Sequence, residues 1–582
     1  MATIKAEQMS STNPGAGPSL SRRLTSALSQ AGLLRLALLL IGAVLVFVLC
    51  VVPFLNLFFK IAFFGDRFSL EIFSDLTQVK AVRTATLNTL KVALTITIAS
   101  VGVAVPLAWL LTRWDFPFAS KFRSYLCLPY AIPPYVGAIA WIFLANPMTG
   151  LLNHLLGASV LNIYSFTGLV FVETCFLYTF VLIASLASLD RMDSSLEEAA
   201  RLSGASPLRV FRDITLPLLK PTLIGSSLLV FLAAVASFGV PALIGGPARL
   251  YLLTTQIYTY QRMGSMSGLL RAAALSIWLM VAALVLMIAA HYISTRKTLQ
   301  TVGGKTARPS NFELGRLKTP LVILVCLFLG VVFILPIFGV LLSSLSQTQG
   351  ELGLSNLTLS NWHRILFEVS ETPRALSNSL IAAAAAATLA SVVAMFVAYV
   401  QVKTKIRGRA LFEIFASLPY ATPGTVVALA LIMTFSISFL GVIPSLYNTL
   451  ALIIVAYFVK YLSFSVRTVG DGYRQIDDVL AEAARMSGAN GRQTMMTIWL
   501  PLLMPALVAS WFLVFMPALS EMTMTLLLTG PGLETIGTLT FQLQEYADAS
   551  GGGASVLAII VVFAVIVINT LVKRLSRGKF GL

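Results

Sequence analysis

Three charged side chains interrupt stretches that are otherwise apolar, namely Glu173, Lys460 and Glu521. An ionisable group at the centre of a membrane helix costs about 2.5–3.5 kcal/mol on insertion scales, so such groups are usually functional or paired. Two interpretations are open: the three groups line a polar pathway, or some of them form a buried pair, for example Glu521 with Lys460. Tyr130 and Tyr420, beside proline-rich stretches, are further candidates for the pathway, with aromatic packing as the alternative.

Reactive and metal-binding residue types are sparse, and their spacing predicts no catalytic or metal site. The three histidines are far apart in the sequence, and no two of the four cysteines form a CxxC pair. Gly303-Gly-Lys305-Thr306 resembles the end of a nucleotide-binding loop, but Leu299 stands where that motif needs its first glycine. We therefore expect that the chain is not an enzyme and that it binds no ATP, metal or other cofactor itself.

The composition predicts a membrane protein. Of the 582 residues 57% are hydrophobic and 11% charged, with a mean hydropathy of +0.87, whereas soluble domains carry about 25% charged residues. A helix needs roughly 20 apolar residues to cross a bilayer, and runs of that length recur. We predict an all-α polytopic protein with about twelve spans, of which prolines interrupt the third and ninth. The windows are 34–60, 85–112, 124–146, 165–188, 219–245, 271–293, 320–345, 377–402, 410–436, 447–468, 502–528 and 555–573.

The net charge of +17 has two explanations, nucleic-acid binding or membrane topology. With the amino terminus inside, the inner segments hold 30 of the 41 Lys and Arg residues, the outer segments hold 10, and Lys460 lies in the tenth span. Basic residues accumulate in cytoplasmic loops of helical membrane proteins. The distribution therefore favours the topological explanation, with no nucleic-acid partner, and predicts that both termini are cytoplasmic.

An internal repeat divides the chain into two halves. EAARLSGA begins at Glu198 and EAARMSGA at Glu482, an offset of 284, and LPYAIP from Leu128 matches LPYATP from Leu418 at an offset of 290. Since six spans per half is an even number, both halves enter the membrane in the same direction, with a pathway between them. The predicted domains are a disordered cytoplasmic tail 1–33, a first half 34–295, a cytoplasmic linker 296–318 and a second half 319–582.

The repeated motif lies in a polar loop between the fourth and fifth spans of each half. Ser194 with Glu197 predicts a capping box at the start of a short helix, and Gly204 predicts its left-handed end. Ser206 and Pro207 then predict the start of a second short helix. In the second copy Asp478, Gly488 and Asn490 take the same positions, and Pro217 and Pro501 are predicted to end the two units. Two such loops at fixed spacing favour a paired external partner over simple connectors.

These loops, followed by Ile-Thr-Leu-Pro at 214–217, resemble the EAA motif of permeases in binding-protein-dependent ABC importers, which have the type I importer fold. The resemblance extends over both halves. It implies that each loop forms a coupling helix that fits a cleft on an ATPase subunit. The coupling residues implied are Glu198, Ala199, Ala200, Gly204, Glu482, Ala483, Ala484 and Gly488.

The resemblance also implies partners and a location. Two ATP-binding subunits, which carry ATP-Mg, are expected on the cytoplasmic face, and a substrate-binding protein on the outer face. The chain would be a multi-pass protein of a bacterial inner membrane, surrounded by lipid, and would work by ATP-driven alternating access.

Among fused double permeases of this length, the chain resembles ferric-iron importer permeases most closely. The segments that carry this resemblance are LPYAIP at 128–133, FGVP at 238–241 and LLLTGPG at 526–532. Ferric iron is therefore the first expectation for the cargo. Similar fused permeases are linked to thiamine and 2-aminoethylphosphonate, which remain alternatives. An ion-coupled secondary transporter with twelve spans is a distant alternative, since such a carrier has no need of twin docking loops.

Overall fold

The computed structural model describes residues 42–63, 68–296, 312–351, 353–404, 408–438, 441, 444–546 and 551–575. The predicted tail 1–33 and residues 297–311 of the predicted linker lie outside these ranges. Within them all regular elements are helices, apart from two isolated β-bridges. Ten helices are long and apolar enough to span a membrane, and two bent helix pairs raise the number to twelve. The predicted all-α polytopic fold is confirmed.

The helices are numbered here in chain order. The first half contains α1 Gly42–Ala62, α2 Glu71–Gln78, α3 Lys80–Arg113, α4 Ala119–Cys127, α5 Pro134–Ala145, α6 Leu151–Leu156, α7 Phe166–Arg191, α8 Ser195–Leu202, α9 Pro207–Ala236, α10 Leu253–Arg262 and α11 Met266–Arg296. The second half contains α12 Gly315–Leu345, α13 Ser360–His363, α14 Glu371–Lys403, α15 Arg409–Ala421, α16 Gly424–Phe435, α17 Leu450–Gln475, α18 Asp478–Met486, α19 Gly491–Leu519, α20 Thr523–Leu528, α21 Ile536–Glu545 and α22 Gly553–Leu575.

The two repeated loops lie at one end of the helix bundle, called here the loop end. The carboxyl ends of α3 and α7 meet there, since the Arg113 side chain donates to the carbonyl oxygen of Leu189 at 3.0 Å. In the second half the ends of α14 and α17 meet in the same way, through Lys403 and the carbonyl oxygen of Ile476 at 2.8 Å. The opposite end of the bundle is called the far end.

The third and ninth spans are broken, as the prolines predicted. The pair that contains α4 and α5 bends by 93°, and the pair that contains α15 and α16 bends by 108°. Pro134 opens α5 and Pro423 directly precedes α16. A proline lacks the N–H of a regular helix turn and disfavours helical backbone at the preceding residue, which explains both breaks.

Both bent pairs cross the bundle from the loop end to the far end. Arg123 in α4 contacts Asp190 near the end of α7, while Ala145 at the end of α5 accepts from the N–H of Ile163, just before α7 begins. The pair thus covers the whole length of α7. In the second half the carbonyl oxygen of Phe435 likewise accepts from Leu446, just before α17. The bent pairs are therefore broken spans, and each half has six crossings.

The broken span of each half packs against the other half. Helix α5 contacts α12 and α22, the first and last spans of the second half, and α16 contacts α1 and α11 of the first half. Within the second half, α14 packs along α17, and α14 carries buried alanines in the run 382–387. Small side chains let membrane helices approach closely. The two halves therefore interlock around the two breaks, where the cavity described below is located.

Candidate functional site

The two repeated loops have the same backbone geometry. Gly204 and Gly488 have φ angles of +83° and +84°, a conformation that strains residues with a Cβ. The N–H of the following alanine bonds back to a carbonyl near the end of α8 at 3.0 Å, or of α18 at 2.9 Å. This is the bond of a helix end with a left-handed glycine. The predicted role of both glycines as helix ends is confirmed.

Equivalent positions of the two loops expose apolar side chains. Leu202 and Met486, which are 284 residues apart, are 91% and 89% exposed, and Leu196 and Leu480 are 49% and 47% exposed. Among the predicted coupling residues, Glu482, Ala199 and Ala483 are exposed, whereas Glu198, Ala200 and Ala484 are half-buried. Exposed apolar side chains rimmed by polar ones are typical of protein contact surfaces.

The predicted capping pattern of the first loop is wrong. The backbone N–H of Ser195 bonds to the carboxylate of Asp193 at 2.9 Å, and the Ser194 hydroxyl instead donates to Glu198 at 3.3 Å. Glu197 is turned into the protein, where it binds Arg113 at 2.6 Å. A buried cation binds the carboxylate of Glu197 more strongly than a helix N–H group would, so a capping box does not form.

In the second loop the cap is shifted by one residue from its predicted position. The carboxylate of Asp477 accepts from the N–H of Val479 at 3.1 Å, while Asp478 pairs with Lys403 at 2.6 Å. Asn490 caps the following helix as predicted, in a reciprocal capping box with Gln493.

The separate second short helix predicted for each loop is also wrong. Ser206 occupies the N-cap position and Pro207 the first turn, but the helix continues as α9 to Ala236 without ending at Pro217. Helix α19 likewise continues past Pro501. A wide π-type turn precedes each proline, over Phe211–Thr215 and Met495–Trp499, and such turns accommodate local irregularity within a continuous helix.

The two loops are braced by different chemistry. In the first half the buried carboxylate of Glu197 binds Arg113 and accepts from the hydroxyl of Thr215, both at 2.6 Å. The positions equivalent to Glu197 and Thr215 are Ala481 and Trp499, and there the Lys403 ammonium lies 5.0 Å from the Trp499 ring centre. A buried polar cluster in one half thus corresponds to an aromatic contact in the other.

The described end of the linker packs onto the first loop. Phe312 forms a backbone bridge with Trp114, and the Arg201 guanidinium of the first loop lies 4.6 Å from the Phe312 ring centre. Asp115 accepts from the N–H of Leu314 at 2.7 Å and pairs with Lys318 at 3.1 Å. The hydrogen bond from Leu314, followed by the bond from Lys318, holds the pKa of the Asp115 carboxyl below its ordinary value.

A cavity of about 690 Å³ lies between the two halves, at the breaks of α4–α5 and at the far-end termini of α9 and α19. Four of the predicted pathway residues line it, Glu173, Glu521, Tyr130 and Tyr420. The tyrosines also pack on aromatic neighbours, Tyr130 on Phe180 at 5.4 Å and Tyr420 on Phe464 at 4.8 Å between ring centres. Both alternatives for the tyrosines, lining and packing, are therefore compatible with the geometry.

Lys460 is not among the residues that line this cavity. Its ammonium donates to the carbonyl oxygens of Pro419, Tyr420 and Thr422, where the chain breaks between α15 and α16. It forms no ion pair with Glu521 within 4 Å, so the alternative of a direct Glu521–Lys460 pair is not present. The ammonium instead satisfies carbonyl groups that the broken helix leaves free.

Aromatic side chains from both halves meet on the far-end side of the cavity. The Phe238 ring lines the cavity and packs on Tyr258 of α10 at 5.3 Å and on Phe541 of α21 at 6.1 Å. Arg262, one turn after Tyr258, pairs with Glu545 of α21 at 3.6 Å. These contacts join the first half to the second, and no local sequence pattern predicts them. We call Phe238, Tyr258, Phe541, Arg262 and Glu545 the far-end closure.

In the part of the chain that the structure describes, no three His, Cys, Asp or Glu side chains converge as a metal site would require. The site thus consists of a membrane-embedded cavity between two repeated halves and a pair of equivalent loops at one end. A polytopic fold with these features defines a two-fold repeated membrane transport component.

Comparison with known proteins gives the family. The sequence pattern described as the inner membrane component of binding-protein-dependent transport systems matches residues 100–298 and 390–579, once in each half. The chain belongs to this family and is a fused double permease of the ABC importer class, a multi-pass inner-membrane protein. The predicted resemblance is confirmed.

Relatives with curated names include ferric transport permeases. An Fe(3+)-transport system permease protein of Haemophilus influenzae, FbpB 2, is 26% identical over 82% of this chain and 86% of its own length. The ferric transport system permease protein FbpB of Actinobacillus pleuropneumoniae is 26% identical over 82% of this chain and 69% of its own. A solved bacterial ABC transporter involved in alginate import has a chain that aligns with 47% of this one at 21% identity, with a TM-score of 0.37.

Proposed function

We propose that two ATP-binding subunits dock on the two repeated loops and drive the chain between two states by alternating access. The observation that carries this proposal is the equivalence of the loops: the same glycine geometry and the same exposed apolar positions, Leu202 with Met486 and Leu196 with Leu480, occur twice at one end of the bundle. A symmetric pair of ATPase subunits would find two matching contact surfaces there. ATP hydrolysis with its Mg²⁺ takes place on those subunits.

The loop end faces the cytoplasm in this proposal, as the distribution of basic residues predicts, and both termini are then cytoplasmic. A substrate-binding protein delivers the cargo to the far end. The cavity between the halves is the pathway, and the far-end closure separates it from the binding protein in the state described here. ATP must bind one state of the complex much better than the other in order to shift the equilibrium between them.

Ferric iron is the cargo that the named relatives favour, since FbpB proteins are described as ferric permeases. Thiamine and 2-aminoethylphosphonate remain the alternatives from the sequence resemblance. An ion-coupled secondary transporter would not need an ATPase partner, so dependence on ATP distinguishes that alternative.

The docking proposal is tested by charge reversal on both loops. Glu198→Lys combined with Glu482→Lys places two cations on the docking surface, and we expect the ATPase subunits to be lost from the purified complex. Glu71→Lys with Glu371→Lys, both in first turns of far-end helices, is the matched control and is expected to keep them. Leu202→Asp with Met486→Asp changes only side chains that are already in solvent, so folding is preserved.

Co-purification of the ATPase subunits, together with the elution profile of the variants in detergent, is the measurement. If both loop variants kept the ATPase subunits and full transport, docking at these loops would be excluded. Loss of the subunits in the far-end control as well would mean that charge alone disturbs assembly, and would also contradict the proposal.

A further inference from the structure

The cavity contains one carboxylate from each half, but these two carboxylates do not occupy equivalent positions of the repeat. In the first half Glu173 on α7 accepts a hydrogen bond from Ser237 after α9. The equivalent residues, 284 positions later, are Tyr457 on α17 and Glu521 after α19. The acid and the hydroxyl group have therefore exchanged places between the halves, and each half still places one carboxylate on the cavity wall.

Each carboxylate is held by hydrogen-bond donors. Glu521 accepts from the hydroxyl of Thr525 at 2.6 Å and from the N–H groups of Met524 and Thr525 at 2.9 and 3.0 Å. The Tyr457 hydroxyl joins the same cluster through Thr525 at 2.7 Å. Glu173 has the Ser237 hydroxyl. Such donors stabilise and orient a carboxylate but are themselves uncharged.

Among the described residues no cation is in direct contact with either carboxylate. Glu173 and Glu521 are 1% and 9% exposed, and neither is in an ion pair within 4 Å among the described residues. The nearby ammonium of Lys460 is directed to carbonyl oxygens of the broken span. A buried charge without a partner is costly and is usually retained for a ligand or a relay.

A third polar group on the wall has no partner. Tyr135 lines the cavity and is 5% exposed, and no hydrogen-bond partner for its buried hydroxyl is found in the described part of the chain. The start of its side chain lies against the backbone at Gly239, where an added Cβ would come within 3.0 Å of the Tyr135 Cβ. A buried hydroxyl without a partner indicates a missing water, ion or ligand.

We propose that the cavity selects positively charged cargo, with Glu173 and Glu521 attracting the charge and the Tyr135 hydroxyl binding the same cargo. This deepens the proposed function, on which it rests, because it takes the cavity to be the pathway. A volume of about 690 Å³ is much larger than a bare ion, and two carboxylates do not complete a chelating site. The cargo is therefore a cation that keeps its own ligands or a small organic cation, whose passage the aromatic wall of Tyr130, Phe180, Tyr420, Phe464 and Phe512 favours through cation–π contacts.

The test measures uptake of three radiolabelled cargos by the complete complex in proteoliposomes: Fe³⁺ and thiamine as cations, and 2-aminoethylphosphonate, whose phosphonate gives it a net negative charge despite its ammonium group. Each is supplied with the binding protein of the complex. Glu173→Gln with Glu521→Gln should lower uptake of the transported cation by about tenfold or more, because buried charge pairs contribute strongly to binding. ATP hydrolysis stimulated by the binding protein should persist, since the loops are unchanged.

A rescue variant separates charge from position. Glu173→Gln with Ser237→Glu moves the carboxylate from position 173 to position 237, which is the position equivalent to Glu521 in the second half. This double variant should restore most of the uptake lost in Glu173→Gln. Thr174→Ala, which removes a hydroxyl of α7 that bonds to the Val170 carbonyl and does not line the cavity, is the matched control and should retain uptake.

The outcomes distinguish this inference from the proposed function. A complex that hydrolyses ATP on stimulation but takes up only 2-aminoethylphosphonate, or whose glutamine variant takes up cations normally, overturns the cation proposal and leaves the importer intact. A wild-type chain that recruits no ATPase overturns the proposed function. Iron and thiamine uptake distinguish a metal from an organic cation, and either one supports the proposal.

Discussion

Arg113 and Glu197 form the most enclosed ion pair of the described chain, with side chains only 2% and 5% exposed. The pair connects the carboxyl end of α3 to the first loop, and Thr215 and the carbonyl of Leu189 satisfy further groups of the same cluster. Removing one member of a buried ion pair leaves the other charge uncompensated in the protein. The position of the first loop therefore depends on residues outside the loop.

Arg113→Met is expected to lower the free energy of unfolding by about 3–5 kcal/mol, because Glu197 remains buried without its cation. Denaturant titration of the purified protein in mixed micelles measures the change. Adding Glu197→Leu should recover most of the loss. Lys403→Met is the matched control in the second half and should cost less, because its partner Asp478 is 67% exposed and remains solvated. A single Arg113→Met variant as stable as the parent would contradict this role.

The sequence predicted the residues that form the loops but not their bracing. The glycines and the repeated motif are local signals, so the helix ends at Gly204 and Gly488 could be derived. The local spacing of Ser194 and Glu197 predicts a cap. The actual partner of Glu197, Arg113, lies 84 positions earlier, and no local pattern connects the two. The only sequence signal for this contact is Arg113 itself, a charged residue at the end of the long apolar helix α3.

At the scale of elements, α10 and α21 form the closure between the cavity and the far end. Tyr258 and Phe541 cover Phe238, and Arg262 joins α10 to Glu545 at the end of α21. Arg262 also lies 5.6 Å from the Tyr258 ring and 5.7 Å from the Tyr546 ring. Since the two helices belong to different halves, separating the halves at this end must break these contacts.

Arg262→Glu is expected to open the far-end closure, because it places two carboxylates against each other. A cysteine introduced at Ser520, which lines the cavity, should then react faster with a membrane-impermeant thiol reagent added at the far end. Arg262→Glu with Glu545→Arg restores opposite charges and should return the rate towards that of the parent. Equal labelling rates in the single variant and the parent would show that the pair does not hold the cavity closed.

The broken spans illustrate what can be predicted at the element scale. The prolines of 128–134 and 419–423 predicted both interruptions, and the angles of 93° and 108° confirm them. The prolines at 217 and 501 are predicted to close the loop units before the next spans, yet α9 and α19 continue through them behind a wide turn. Proline therefore indicates irregular backbone, while the surrounding packing decides whether the helix breaks or continues.

At the scale of the whole molecule, the repeat predicts two parallel halves, and in the described residues each half has five helices long enough to span a membrane and one bent pair. The sequence does not predict that the broken span of each half packs against the other half. Helix α5 contacts α12 and α22, and α16 contacts α1 and α11. Contacts between halves depend on the three-dimensional arrangement of distant segments, as do the Phe238–Phe541 contact and the cavity itself. Of the five candidate pathway residues, the structure places four on the cavity wall and places Lys460 outside its lining, against carbonyl groups of the broken span.

The most direct test of the central claim is ATP hydrolysis by the chain reconstituted with its ATP-binding subunit and its binding protein. Fe³⁺, thiamine or 2-aminoethylphosphonate is added in turn. We predict that the ATP-binding subunit assembles on the chain and that its hydrolysis rises when the binding protein carries the transported cargo, which is one of the two cations. A chain that forms no complex with the ATP-binding subunit, while still transporting solute across the membrane, would contradict the account.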